Sequence, residues 1–119
     1  MMSITTVLKA LGDETRIRII NLLHIEKLCV CEIEEILNIN QSNTSRHLSK
    51  LKNANLIDSE KEAQWVYYYI NKDILAQYSF IKSLLDDLVK NTQCKNDIVR
   101  FRLYREKNGG CTHMIRIRV

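Results

Sequence analysis

Lys27 to Leu51 reads KLCVCEIEEILNINQSNTSRHLSKL, and this stretch decides the fold. Val30, Ile33 and Leu37 fall on one face of a helix running from about Val30 to Leu37, while Glu32, Glu34 and Glu35 are expected to face away. Asn38-Ile39-Asn40 makes a turn, with Asn40 placed to cap a following helix. In that helix Thr44, Leu48 and Leu51 are spaced i, i+4, i+7 and must point inward. Ser42, Arg46, Ser49 and Asn53 then gather on the opposite side, flanked by Asn43, Ser45 and Lys50. Two helices across a three-residue turn, the second with a small, polar, basic outer face, have the pattern of a helix-turn-helix.

Downstream, Leu56 to Ile70 changes period. Trp65, Tyr67 and Tyr69 alternate with Val66, Tyr68 and Ile70, and polar residues at 61–64 supply a turn, which predicts a β-hairpin. Its aromatic run can pack on the helices or present a base-stacking platform. Upstream, Ile4, Leu8 and Leu11 give a short first helix, and Gly12-Asp13 ends it and opens the next. Ile17, Ile20 and Leu23, broadened by Ile19 and Leu22, make that second helix central to the core, with His24 at its C-terminal end. From Ile74 the steps Ile74, Tyr78, Ile81, Leu85, Leu88 form an a/d seam on one long helix. The seam is expected to meet a second copy of the chain, the alternative being burial within one chain.

The predicted architecture is therefore mainly α with a β-hairpin wing, a homodimeric winged helix-turn-helix. Residues 1–92 form the DNA-binding and dimerisation domain, and residues 93–119 a C-terminal helix, basic over 97–107, followed by a tail.

With 119 residues, 45% hydrophobic and 27% charged, the chain has the balance of one globular domain. No apolar run is long enough to cross a bilayer, no membrane association is expected, and no N-terminal stretch resembles a signal peptide. Four cysteines in such a chain fit reduced thiols in the cytoplasm better than a disulfide framework. The net charge of +4 says little, but its distribution says more. Arg46, Lys50 and Lys52 stand without an acid between Gln41 and Leu56, next to the acidic Glu32, Glu34 and Glu35. One basic face suits double-stranded DNA.

The predicted DNA-contacting residues are Gln41, Ser42, Asn43, Ser45, Arg46, His47 and Lys50. Short side chains on the N-terminal half of a rigidly held helix can enter a major groove about 12 Å wide. Arg46 can pair bidentately with guanine, and Gln41 or Asn43 with adenine, while Lys50 and the serines hold phosphates. His47 lies nearer the buried flank, so a structural hydrogen bond competes with a phosphate contact. A helix-turn-helix devoted to protein contact remains open at this point.

Cys29-Val30-Cys31 opens helix three. On a regular helix, residues i and i+2 point about 200° apart, so joint binding of one ion is expected to need a frayed first turn, in competition with the helix that braces the reading helix. Thiolate ligands select soft ions. The alternative is two small half-buried residues with no ligand.

KALGDETRIRIINLL, KLCVCEI, NQSNTSRHLSKL and WVYYYI resemble, in order and spacing, the signature blocks of the ArsR/SmtB family of metal-responsive winged-helix repressors, with the arsenic-responsive branch nearest. The resemblance runs from about Leu8 to Leu88. It implies a homodimer built on the first and last long helices, binding an inverted-repeat operator of a metal-resistance operon and leaving it when a toxic ion binds. It further implies that Cys29 and Cys31 hold trivalent arsenic or antimony as effector; cadmium, lead, zinc or thiol oxidation are the alternatives. Where that branch can carry a third cysteine this chain has Glu34, so a third sulfur must come from Cys94, from Cys111 or from a small-molecule thiol. The His-containing zinc site of relatives, and the upstream cysteines of cadmium and lead sensors, have no counterpart. Ala63 and Gln64 stand where the family often has Gly and Arg, which weakens a basic wing contact and strains the turn. An arsenical-processing or thiol-reductase enzyme is disfavoured, because the thiols lack a βαβ context and an acid/base partner.

Overall fold

A computed structural model describes residues 3–108. Helix α1 (Ile4–Leu11) begins where the Ser3 hydroxyl accepts the Thr6 N–H at 3.2 Å. It buries Val7, Ala10 and Leu11, leaving Ile4 and Leu8 half exposed, so its inward stripe is offset from the expected Ile4-Leu8-Leu11 line. Asp13 caps α2 (Glu14–Ile25) by accepting the Arg16 N–H at 3.0 Å, a bond that also holds its carboxyl below the ordinary range. As the apolar run predicts, α2 is central: Ile19, Ile20 and Leu22 are fully buried.

Strand β1 (Leu28–Cys29) leads directly into α3 (Val30–Leu37), and α4 (Gln41–Asn53) follows the three-residue turn. Asn38 closes α3 in the left-handed region at φ 56°, which asparagine tolerates, and the Asn40 side chain accepts the Asn43 N–H at 2.8 Å to start α4. Thr44, Leu48 and Leu51 are buried as their spacing requires. Glu32 is not on the solvent face with its neighbours; it is 1% exposed.

The wing is β2 (Ile57–Glu62) and β3 (Trp65–Ile70), antiparallel, with Ile57 opposite Ile70 and Glu62 opposite Trp65. A third strand joins it. β1 pairs with β3, Leu28 against Tyr68 and Cys29 against Tyr67, giving the order β1-β3-β2. The turn between β2 and β3 places Ala63 at φ 56°, where its Cβ crowds the backbone. Ala63→Gly should stabilise the fold by about 1 kcal/mol, seen as a higher urea midpoint at unchanged slope. A lower midpoint would show that the turn is not strained.

The expected single helix over the a/d seam is two: α5 (Lys72–Gln77) and α6 (Ser79–Leu88), broken at Tyr78, which is extended at φ −126°, ψ 98°. Residues 77–79 contain no helix breaker, so the break is tertiary: Tyr78 and Phe80 both settle against the core, with ring centroids 5.9 Å apart. Ile74, Ile81, Leu85 and Leu88 are buried inside this chain, so the seam does not await another copy. The α6 seam packs against α5 and α2, while helix α7 (Thr92–Asn108) packs along α2 and α3. Cys94, Asp97, Phe101 and Tyr104 point inward from it. Arg18 of α2 grips the fully buried Asp97 through two bonds of 2.9 Å, and Gln93 adds a third at 3.1 Å.

Candidate functional site

Helix α4 is held by its apolar side and presents the other. Gln41, Ser42, Asn43, Ser45, Arg46 and Lys50 are exposed. The Arg46 guanidinium donates to Asn43 Oδ1 at 2.9 Å, which orders the pair before any partner arrives. His47 is different. It is 7% exposed, and its Nδ1 accepts from Arg16 at 3.1 Å; burial keeps the ring below the usual imidazole range and hence neutral at pH 7. The same Arg16 donates through Nε to the Ala10 carbonyl at 2.6 Å, so it bolts α4 to the end of α1. Its role was not visible in the sequence.

The wing beside this face is acidic, with Asp58, Glu60 and Glu62 exposed on β2. Lys27 reaches Glu60 at 2.8 Å and also Glu62, drawing the wing onto the β1 end of the sheet. Lys61 is the one basic residue of the two wing strands, so phosphate contact falls chiefly to α4. Arg46→Ala is expected to weaken binding to a specific operator by about 1–3 kcal/mol while changing binding to unrelated duplex less. Equal losses on both would reduce Arg46 to a phosphate contact.

The two thiols meet without disturbing α3. Cys29 is the residue before its first turn, extended at φ −88°, ψ 167°, and Cys31 sits one step inside. Their sulfurs are 2.9 Å apart. The expectation that one ion could be shared only by unwinding the helix is thus overturned, because the 200° argument applies to two helical residues and Cys29 is not one. Its backbone is fixed from both sides. β1 pairs it with Tyr67, and its N–H donates to Glu32 Oε1 at 3.0 Å, the return half of a capping box. Glu32 in turn accepts from Arg105 of α7 at 2.6 Å, and Arg105 also grips Glu26.

Two openings border the pair. One, of about 260 Å³, is walled by Cys29, Val30, Cys31, Glu34, Gln41, Trp65 and Val66. It brings the thiols together with the first residue of α4 and the turn end of the wing. The other, about 680 Å³, lies between α3 and α7 and is lined by Cys31, Glu34, Glu35, Arg100 and Tyr104 among others. Burial pushes the Tyr104 phenol up to about 12.

Cys94 is not with them. It is 1% exposed against Asn21 of α2, ten residues from Tyr104 on one helix, or about 15 Å along its axis. Among the described residues no three His, Cys, Asp or Glu side chains gather as a metal site, and Cys111 lies outside those residues. A closed four-ligand zinc site is therefore not assembled from the described residues, whereas a two-sulfur grip on a soft ion fits them.

Residues 13–59 match the family described as bacterial regulatory protein, arsR family. The cadmium resistance transcriptional regulatory protein CadC of Listeria innocua is 41% identical over 69 residues, 57% of this chain and 58% of CadC. The arsenical resistance operon repressor of Bacillus subtilis is 42% identical over 66 residues, 55% of this chain and 63% of that protein. The chain thus spans less than two thirds of these relatives. In fold it is similar to the homodimeric winged helix-turn-helix DNA-binding domain Mb0332 of Mycobacterium bovis, a possible ArsR-family regulator, at TM-score 0.61 and 25% identity, covering 75% of this chain and 84% of that one.

Proposed function

Because the chain belongs to the arsR family of bacterial regulatory proteins, we propose that it is a transcriptional repressor of a metal or metalloid resistance operon. In this reading it leaves its operator when trivalent arsenic or antimony binds Cys29 and Cys31. It is a regulator, not an enzyme. The observation that carries the reading is the shared cavity: the wall that holds both thiols also contains Gln41, where the DNA-facing helix starts, and Trp65, at the turn end of the wing.

An ion seated there presses on both DNA-facing elements without unwinding α3. Cys29 is paired with Tyr67 in the sheet of the wing, so a shift of its sulfur moves β3 as well. The operator is an inverted repeat read by a homodimer, as the two-fold logic of helix-turn-helix proteins requires, with half-sites about 34 Å apart. Since the α6 seam is buried, the apolar surfaces open to a second copy include the exposed Ile4 and Leu8 of α1, Val99 and Leu103 of α7, and Ile25 and Val89 at the ends of α2 and α6.

The relatives named above include cadmium and arsenic regulators. A pair of sulfurs suits a thiophilic metalloid, and cadmium is the competing effector. A gel shift with the upstream DNA of the chain's own operon tests this. Binding is expected to fall steeply with salt, as phosphate neutralisation by Lys50 and its neighbours demands, and to be abolished by arsenite or antimonite at concentrations where zinc has no effect. Release by cadmium alone would transfer the reading to that ion; retention with every thiophilic ion would end it.

A further inference from the structure

We infer that the groove between α3 and α7 takes a small zwitterionic thiol, one carrying carboxylate and ammonium groups, which supplies the third sulfur to the trivalent ion held by Cys29 and Cys31. This rests on the function proposed above.

Trivalent arsenic makes three bonds, and the described residues offer two sulfurs, 2.9 Å apart. The third bond must be filled from elsewhere. Cys31 faces the α3–α7 groove of about 680 Å³ as well as the cavity shared with Trp65, so a molecule lying in the groove has its sulfur beside the pair. The groove is charged on both sides. Arg100 stands on α7, Glu34 and Glu35 on α3, and among the described residues none of the three makes a side-chain hydrogen bond or ion pair. Their charged neighbours are committed instead: Arg105 to Glu32 and Glu26, Arg18 to Asp97. A guanidinium opposite two carboxylates is complementary to an amino acid, its carboxylate accepting from Arg100 and its ammonium donating to Glu34 or Glu35.

The chemistry balances without oxidant or reductant. Arsenous acid exchanges three As–O bonds for three As–S bonds, two to the protein and one to the small thiol. The three sulfhydryl protons leave with the displaced hydroxides as three waters, and arsenic stays trivalent throughout.

The test is equilibrium dialysis of arsenite against the full chain, kept reduced by a phosphine, with L-cysteine, glutathione or 2-mercaptoethanol at equal concentration. Cysteine or glutathione should tighten arsenite binding by about tenfold or more over mercaptoethanol, which has the sulfur but neither charge. Whichever of the two acts more strongly identifies the source. Arg100→Ala should remove that gain and Arg100→Lys retain part of it. Phenylarsenite, whose third bond is already to carbon, should bind wild type and Arg100→Ala alike. The inference is overturned if mercaptoethanol matches cysteine, if Arg100→Ala keeps the gain, or if tight thiol-independent binding is lost in Cys111→Ser. Phenylarsenite binding without any cysteine effect rejects this inference alone. Failure of phenylarsenite to bind wild type rejects the effector assignment and this inference with it.

Discussion

Arg18→Ala is expected to destabilise the chain by about 3–5 kcal/mol and to lower its melting temperature by roughly 10 °C or more. Asp97 has no exposed surface, and Arg18 satisfies both of its oxygens at 2.9 Å. Removing the guanidinium leaves a carboxylate in the core with only Gln93 for company. The cost comes from that orphaned charge, not from the pair as such. Replacing both residues with apolar ones, as in Arg18→Leu with Asp97→Leu, should therefore recover most of the loss. Thermal and urea unfolding of the single and double variants decide the matter; a double variant as unstable as Arg18→Ala would mean that the pair holds α7 by geometry instead. Lys27 offers a contrast, since its partners Glu60 and Glu62 are about half exposed and water screens them.

Cys29→Ser and Cys31→Ser should each raise the arsenite concentration needed for operator release by about two orders of magnitude or more, with affinity for DNA in the absence of ion unchanged. A hydroxyl is a hard donor and stays protonated where a thiol ionises. Neither change should harm the fold. Cys29 occupies the cap of α3, where serine is a preferred residue, so that variant is expected to be at least as stable as wild type. Gel shifts over an arsenite titration supply the measurement. Release at wild-type concentrations in both variants would move the sensing site away from this pair.

The helix-turn-helix was legible because its signals agree: the Asn40 cap, the Thr44-Leu48-Leu51 stripe and the wing's alternating aromatics each point to the same arrangement, and α3 and α4 lie where they predict. Glu32 was not legible by charge, since Glu34 and Glu35 of the same helix carry the same charge and are not buried. Its spacing from Cys29 does carry a signal, a cap residue followed three positions on by glutamate. Helix α7 hid its inward face because Asp97 interrupts the stripe of Cys94, Phe101 and Tyr104, while Val99 and Leu103 put apolar side chains outside. The α6 seam looked short of a partner because its packing against α2 and α5 is tertiary and leaves no local signal. β1 was too brief for any period to reveal, and its pairing with Tyr67 and Tyr68, with the extended backbone of Cys29, shows that this residue is not helical.

Trp65 is the only tryptophan in the chain, and it stands in the wall beside Cys29 and Cys31. Its indole is thus a built-in optical reporter whose emission samples a single place. Heavy-atom quenching by an arriving arsenic or antimony would register occupancy on the millisecond scale in a rapid mixer, with no dye attached and no DNA present. Loading and promoter escape then become two separately timed events, and the interval between them measures how quickly this regulator turns a chemical encounter into a change of gene expression.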